Sequence, residues 1–312
     1  MQNKICLVTG ATSGIGYVTA LELAKMGAVV ILGGRDMEKA ANTVIKIRSE
    51  SGNPYVDFIL GDLSNFEEVR KFATEFKSQY SRLDVLVNNA GAIFKEYDAN
   101  PDRVEMTMAL NFFGIYLLSG LLLDRMKVSV HSRIINVSSM MHKMAKNNFS
   151  SYNDEHNYKA INSYALSKLA LMHFTYKLAE KLNGTGITVN AMHPGWVKSN
   201  FGNGFYTGFY GLVDTLTTPL QSTPVQGANT IIYLASSGEV AGISGKYFIK
   251  RKATGSSSAS CDKEVSTELW DLAERTCKFK YDFEKLKTEN KNEKSNSDEP
   301  KMNPSEDNAK DK

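Results

Sequence analysis

The chain has 312 residues, 42% hydrophobic and 23% charged, which excludes a collagen, a coiled-coil rod and a wholly disordered chain. Its 37 Lys and Arg nearly balance 34 Asp and Glu, so the net charge of +3 gives no reason to expect a nucleic-acid partner. Cys6, Cys261 and Cys277 are odd in number and widely spaced, so neither a disulfide framework nor a zinc site is expected. A reducing compartment, the cytoplasm, is the simplest placement.

Met1 to Lys4 precede the apolar run Ile5–Val8, which is too short for a signal-peptide core or a spanning helix. From there, short β-branched runs alternate with longer segments of helical period. Strand Ile5–Val8 leads to helix Ile15–Met26, strand Ala28–Leu32 to helix Glu38–Glu50, and strand Val56–Leu60 to helix Asn65–Tyr80. Strand Val85–Val87 is followed by helix Glu105–Leu123, Arg133–Val137 by helix Ala165–Leu182, and Thr188–Met192 by helix Gln226–Ala235. The last strand expected is Lys246–Phe248. The apolar stretch Phe112–Leu123, broken by Gly114, Ser119 and Gly120, has about half the length needed to cross a bilayer. No transmembrane segment is expected.

The strands lack alternation, as parallel strands covered on both faces do. Regular β–α alternation with right-handed crossovers predicts α/β class, a doubly wound parallel sheet (a Rossmann fold) in a single domain. That domain is expected over 1–280, with Met141–Ser163 as a polar insertion beside the active site. Residues 281–312 are assigned to a disordered polar tail, because 285–312 hold almost no apolar side chains.

The chemistry begins at Thr9-Gly10-Ala11-Thr12-Ser13-Gly14-Ile15-Gly16, between the first strand and helix. Glycines there allow a tight turn and let the backbone approach a pyrophosphate at a helix N-terminus. The spacing is G-x-x-x-G-x-G, so Gly10, Thr12, Ser13, Gly14, Ile15 and Gly16 are candidate cofactor contacts. Further down the chain come Asn88-Asn89-Ala90-Gly91, Asn111, Ser138-Ser139, Tyr164-Ala165-Leu166-Ser167-Lys168 and Pro194-Gly195.

In that order, over residues 5 to about 250, the set resembles the short-chain dehydrogenase/reductase family. Asn136-Val137-Ser138-Ser139, His193-Pro194-Gly195 and the segment Gly242–Phe248 resemble its retinol dehydrogenase branch, with the protochlorophyllide-reductase and WW-domain-oxidoreductase relatives. The resemblance implies that Asn89, Ala90, Gly91, Pro194 and Gly195 contact the cofactor and that Asp62 and Leu63 flank the adenine. It implies that Lys168 holds the nicotinamide ribose and that Asn111 stabilises a helix irregularity and a water next to Lys168. It also implies that the second serine, Ser139, meets the substrate oxygen rather than Ser138.

The residues themselves point the same way. Tyr164 and Lys168 are four apart and share a helix face. A tyrosine of ordinary pKa, about 10, is a poor acid–base group at neutral pH, and an adjacent ammonium favours its phenolate. Tyr164 is therefore the expected proton donor to a carbonyl oxygen, or acceptor from an alcohol. The end of the second strand, Ile31-Leu32-Gly33-Gly34-Arg35-Asp36, has no carboxylate placed for a ribose hydroxyl. Arg35 would accommodate a 2′-phosphate, and Asp36 is better suited to cap the next helix. NADP(H) is the cofactor expected.

Phe201, Phe205, Tyr206, Phe209 and Tyr210 follow Pro194-Gly195, where an apolar flap over the site is expected, and no Lys or Arg occurs between Asn200 and Thr223. The expected substrate is a lipophilic aldehyde or ketone. The five histidines lack ligand spacing, so no metal is expected. A rival reading is a dinucleotide-binding regulator or scaffold with little turnover, but a pure binder needs no acid–base tyrosine. A homodimer and peripheral contact with a membrane are both left open.

Overall fold

A computed structural model describes residues 1–129, 131–196, 222–284 and 286. Strands β1 (Ile5–Thr9), β2 (Val29–Gly34), β3 (Val56–Leu60), β4 (Val85–Asn88), β5 (Arg133–Val137), β6 (Thr188–His193), β7 (Tyr247–Ile249) and β8 (Lys252–Thr254) form one sheet. Its order is β3-β2-β1-β4-β5-β6-β7-β8. All neighbours are parallel except β7 and β8, a hairpin that adds an antiparallel edge. The direction of winding reverses between β1 and β4, and in such sheets ligands bind at the carboxyl ends of the strands near that reversal.

Alternation along each buried strand builds two apolar layers. Leu7, Ile31, Leu86, Ile134 and Val189 face one side. There they meet helices α3 (Phe66–Gln79), α5 (Gly114–Lys127), α6 (Ala160–Lys181) and α8 (Lys263–Cys277). Cys6, Val8, Val30, Leu32, Val87 and Ile135 face the other. Helices α1 (Gly14–Lys25), α2 (Met37–Ser51) and α7 (Pro224–Ser236) cover that side. Local chemistry sets the helix starts. Asp36 caps α2 by accepting from Lys39 N, as its position suggested, and Thr223 and Gln226 form a capping box with Pro224 in the first turn of α7.

Three departures from the sequence reading matter for the site. The segment expected as one α-helix from Glu105 is an α turn, α4 (Met106–Met108), then a π-helical turn at Ala109–Phe113, then α5. Together they make an apolar run, Met106–Lys127, long enough to cross a membrane, but 78% of its most apolar window is buried inside this fold. Second, α6 starts at Ala160, so Tyr164 lies within the helix and not at its opening. Third, β8 and α8 follow the last strand expected from sequence.

Helix α8 is amphipathic: Leu269, Trp270, Ala273 and Cys277 are buried, and Asp262 caps its start through Glu264 N and Val265 N. Trp270 meets Tyr116 at 5.2 Å and Tyr281 at 4.9 Å between ring centroids. Packing thus continues past the boundary drawn at 280: Tyr281 is buried and its hydroxyl donates to the Tyr116 carbonyl. Phe283 packs against Trp270 and Tyr281, and Leu286 is buried. Residues 285 and 287–312 of the expected tail, and the aromatic cluster Phe201 to Tyr210, lie outside the described residues.

Candidate active site

The β1–α1 turn has the form a dinucleotide phosphate needs. Gly10 has φ +62°, and a Cβ there would lie 2.9 Å from Ala90 Cα. A Cβ on Gly16 would run into the Gly10 carbonyl oxygen and come 2.6 Å from Asn89 Nδ2. Ser13 makes no side-chain cap on α1, and the first turn holds no acid, so its N–H groups are left to an anion. This fits the pyrophosphate of a nicotinamide dinucleotide.

The turn is braced from β4. Asn89 Nδ2 donates to the Thr9 and Gly10 carbonyls at 2.9 and 3.1 Å. The Asn89 and Ala90 N–H groups both donate to Thr9 Oγ1 at 3.0 Å. Asn89 therefore shapes the turn with its amide. Thr9, which the sequence reading did not single out, is the hub of that brace; a hydroxyl at the end of the first strand was the available signal.

Lys168 is buried, with its Nζ donating to the Val137 carbonyl at 3.0 Å. Burial away from water pushes its pKa down to about 8. Its ammonium lies 5.5 Å from the centre of the half-buried Tyr164 ring, one helical turn away. A Cβ on Gly91 would lie 3.4 Å from Lys168 Nζ and 3.1 Å from Asn111 Oδ1, so the Gly91 backbone runs against both. Asn111 sits in the π-helical turn, the helix irregularity anticipated there, and its amide grips Ala92 by two bonds, from Ala92 N and to Ala92 O, each 2.9 Å. It also donates to Ser167 Oγ at 3.0 Å, tying α6 to the π turn.

The sequence matches the short chain dehydrogenase family over residues 4–207. The chain belongs to that family. It is 39% identical to retinol dehydrogenase 14 of Mus musculus over 286 residues, covering 88% of this chain and 86% of the relative. It is 36% identical to human retinol dehydrogenase 12 over 273 residues, covering 88% and 86%. Among solved structures, a Mycobacterium paratuberculosis protein superposes with TM-score 0.73 at 28% identity, covering 90% of this chain and 96% of that one. An actinorhodin polyketide ketoreductase variant with NADPH gives 0.63 at 25% identity, covering 80% and 97%. This short-chain dehydrogenase is an oxidoreductase of the CH–OH/C=O class that works with a nicotinamide cofactor.

Within this family member the two serines after β5 separate clearly. Ser138 is buried and donates to the Lys168 carbonyl at 3.3 Å, while Ser139 is half-exposed. Ser139 caps the 3-10 turn Met140–Lys143, with its Oγ accepting from Met141 N at 3.2 Å. At the adenosine end, Arg35 is 70% exposed, with Nη1 3.7 Å from Asp62 Oδ2. The other Asp62 oxygen accepts from Ser64 N and Oγ, and Leu63 is buried. Asp36, the acid that follows Arg35 in sequence, is committed to the α2 cap. Pro194 and Gly195 leave β6 half-buried, with Gly195 at φ +90°. Among the described residues no cluster of His, Cys, Asp and Glu could hold a metal.

Proposed function

We propose that the chain is an NADP(H)-dependent dehydrogenase/reductase of lipophilic aldehydes or ketones and the matching alcohols. The observation that carries the reading is the buried Lys168 ammonium beside the Tyr164 ring at the carboxyl ends of β4 and β5. The nicotinamide, when bound, supplies or accepts the hydride. Tyr164 then holds the proton at its phenolic oxygen, giving it to the carbonyl oxygen in reduction and taking it back in oxidation. Lys168 keeps positive charge beside that phenol and has ammonium protons left for the cofactor ribose. Ser139 orients the substrate oxygen, and Gly10, Gly16 and the start of α1 hold the pyrophosphate.

Preference for the phosphorylated coenzyme rests on Arg35, which is free enough to turn toward a 2′-phosphate, and on the lack of an uncommitted acid at the end of β2. The substrate class rests on Met140, Met144 and Trp196, large apolar side chains exposed on the loops beside Ser139 and Gly195. The relatives named as retinol dehydrogenases point to the same class. The test is a series of straight-chain aldehydes with NADPH. Each added methylene should raise kcat/KM by up to about fourfold, from about 0.8 kcal/mol per buried CH₂. A flat series, or a short charged aldehyde as the best substrate, would refute the substrate class.

A further inference from the structure

The loop that carries Ser139 is held by a histidine that the mechanism above does not use. His142 is fully buried, and its ring packs edge-to-face on Tyr247 with centroids 5.2 Å apart. Its Nε2 accepts from the Ser257 N–H at 3.1 Å. A backbone amide can only donate, so Nε2 must present its lone pair. The neutral ring then carries its proton on Nδ1, which faces the Ser139 carbonyl oxygen at 2.6 Å. Burial also pushes the His142 pKa down, in keeping with a ring that stays neutral.

The Ser139 carbonyl accepts twice, from the His142 ring and from the His142 N–H at 3.2 Å. Both bonds restrain the peptide that follows the Ser139 side chain, where the backbone is extended at φ −149° and ψ 154°. Ser257 belongs to the segment after β8, where it caps the 3-10 turn Ser258–Cys261. A second tie joins the same pair of segments: Asn147 Nδ2 donates to the Ala259 carbonyl at 3.0 Å. The serine loop is thus pinned by chain lying beyond the parallel sheet.

We propose that His142 is a positioning residue for Ser139, locked as the Nδ1–H tautomer by the Ser257 amide so that it fixes the Ser139 carbonyl and with it the direction of the Ser139 hydroxyl. The proposal rests on the assignment of Ser139 as the serine that meets the substrate oxygen. A hydroxyl displaced by about 1 Å can cost a rate of the order of 100-fold while leaving coenzyme binding alone.

The experiment compares two replacements of similar bulk. His142→Asn keeps an N–H donor where Nδ1 stood, whereas His142→Gln places its amide where Nε2 stood and leaves the Ser139 carbonyl without that donor. Expected are a roughly 10- to 100-fold fall in kcat for His142→Gln, coenzyme Kd within about twofold, and recovery to within about threefold of wild type in His142→Asn. Loss of Tm should be similar in both, so a purely structural role would not separate them. In a Ser139→Ala background His142→Gln should add no further loss. The ¹⁵N resonances of His142 in the unaltered protein should report the Nδ1–H tautomer, a reading that does not depend on any variant folding. Equal kcat for Asn and Gln, an undiminished effect of His142→Gln in the Ser139→Ala background, or the Nε2–H tautomer would each overturn the proposal. Wild-type turnover in Ser139→Ala alone would instead sink the serine assignment, a failure visible without touching His142.

Discussion

Replacing Lys168 by methionine should make the ligand-free protein more stable while destroying its activity. The ammonium is wholly buried, and its pKa falls from 10.5 to about 8 because burial strips its water. At about 1.36 kcal/mol per pKa unit, the folded chain carries about 3 kcal/mol of desolvation cost at neutral pH. Methionine fills similar volume without charge. It leaves the Val137 carbonyl without its donor, a loss of about 1 kcal/mol. The net gain is about 2 kcal/mol, or about 4 °C in Tm for a chain of this size. The sign with pH follows from the direction of the shift. Between about pH 8 and 10.5 the unfolded chain binds a proton that the folded chain has released, so wild-type stability rises with pH across that window. The advantage of Lys168→Met should therefore be full below pH 8 and shrink toward pH 10.5. Urea unfolding without coenzyme, at about pH 7 and about pH 10, reads both effects directly. A variant no more stable than wild type at pH 7, or one whose advantage is the same at both pH values, would refute the argument.

Tyr164→Phe should lose about 10²- to 10⁴-fold in turnover with coenzyme affinity nearly unchanged, measured by steady-state kinetics and coenzyme titration. Arg35→Ala should weaken NADPH by roughly 10- to 150-fold and NADH little, because only the former offers a 2′-phosphate for a charge-assisted bond. Equal weakening would show that Arg35 does not read the phosphate. Acid should unfold the protein early: burial holds His173 and His193 down to about 4, against an ordinary 6.5. Folded-state pKa values below the unfolded ones mean that this stability is complete above 6.5 and is lost as pH falls toward 4. Unfolding midpoints across that range, less steep in His173→Gln than in wild type, check it.

The repeating strands and helices were readable because each buried strand is a short apolar run, and the helices between them keep a 3.6-residue period. The ordered motifs nominated Gly10, Asn111, Ser139, Tyr164 and Lys168 as candidates because each residue type recurs at the end of a particular strand or on a helix. What escaped depends on contacts far apart in sequence. Helix α8 has a cap at Asp262 and apolar residues at Leu269, Trp270, Ala273 and Cys277, a legible pattern, yet no element was expected between the strand at Lys246–Phe248 and the domain end at 280. The π-helical turn is invisible to periodicity, and only the family resemblance pointed to an irregularity at Asn111. The insertion Met141–Ser163 shows no period in sequence, and bonds from His142 and Asn147 to residues more than a hundred positions away help to order it.

The arrangement also explains why so much apolar packing surrounds a site of this kind. Asn88 Oδ1, His193 Nδ1 and Tyr247 Oη, on β4, β6 and β7, are buried without a hydrogen-bond partner among the described residues. The buried Lys168 ammonium adds a desolvation cost of about 3 kcal/mol. Asn88 Nδ2 does bond Asn136 Oδ1 at 2.8 Å and Ser119 Oγ at 3.1 Å, and Asn136 continues to Thr175, so a polar chain crosses the core from α5 to α6. A chain of that kind ties β4, β5 and α6 together, because each bond is made only when its two elements keep their relative positions. The two apolar layers, with Trp270 and Tyr281 closing one of them, offset the cost. Stability is therefore coupled to the site through the C-terminal segment, which covers an aromatic layer with α8 and holds the Ser139 loop through Ser257 and His142.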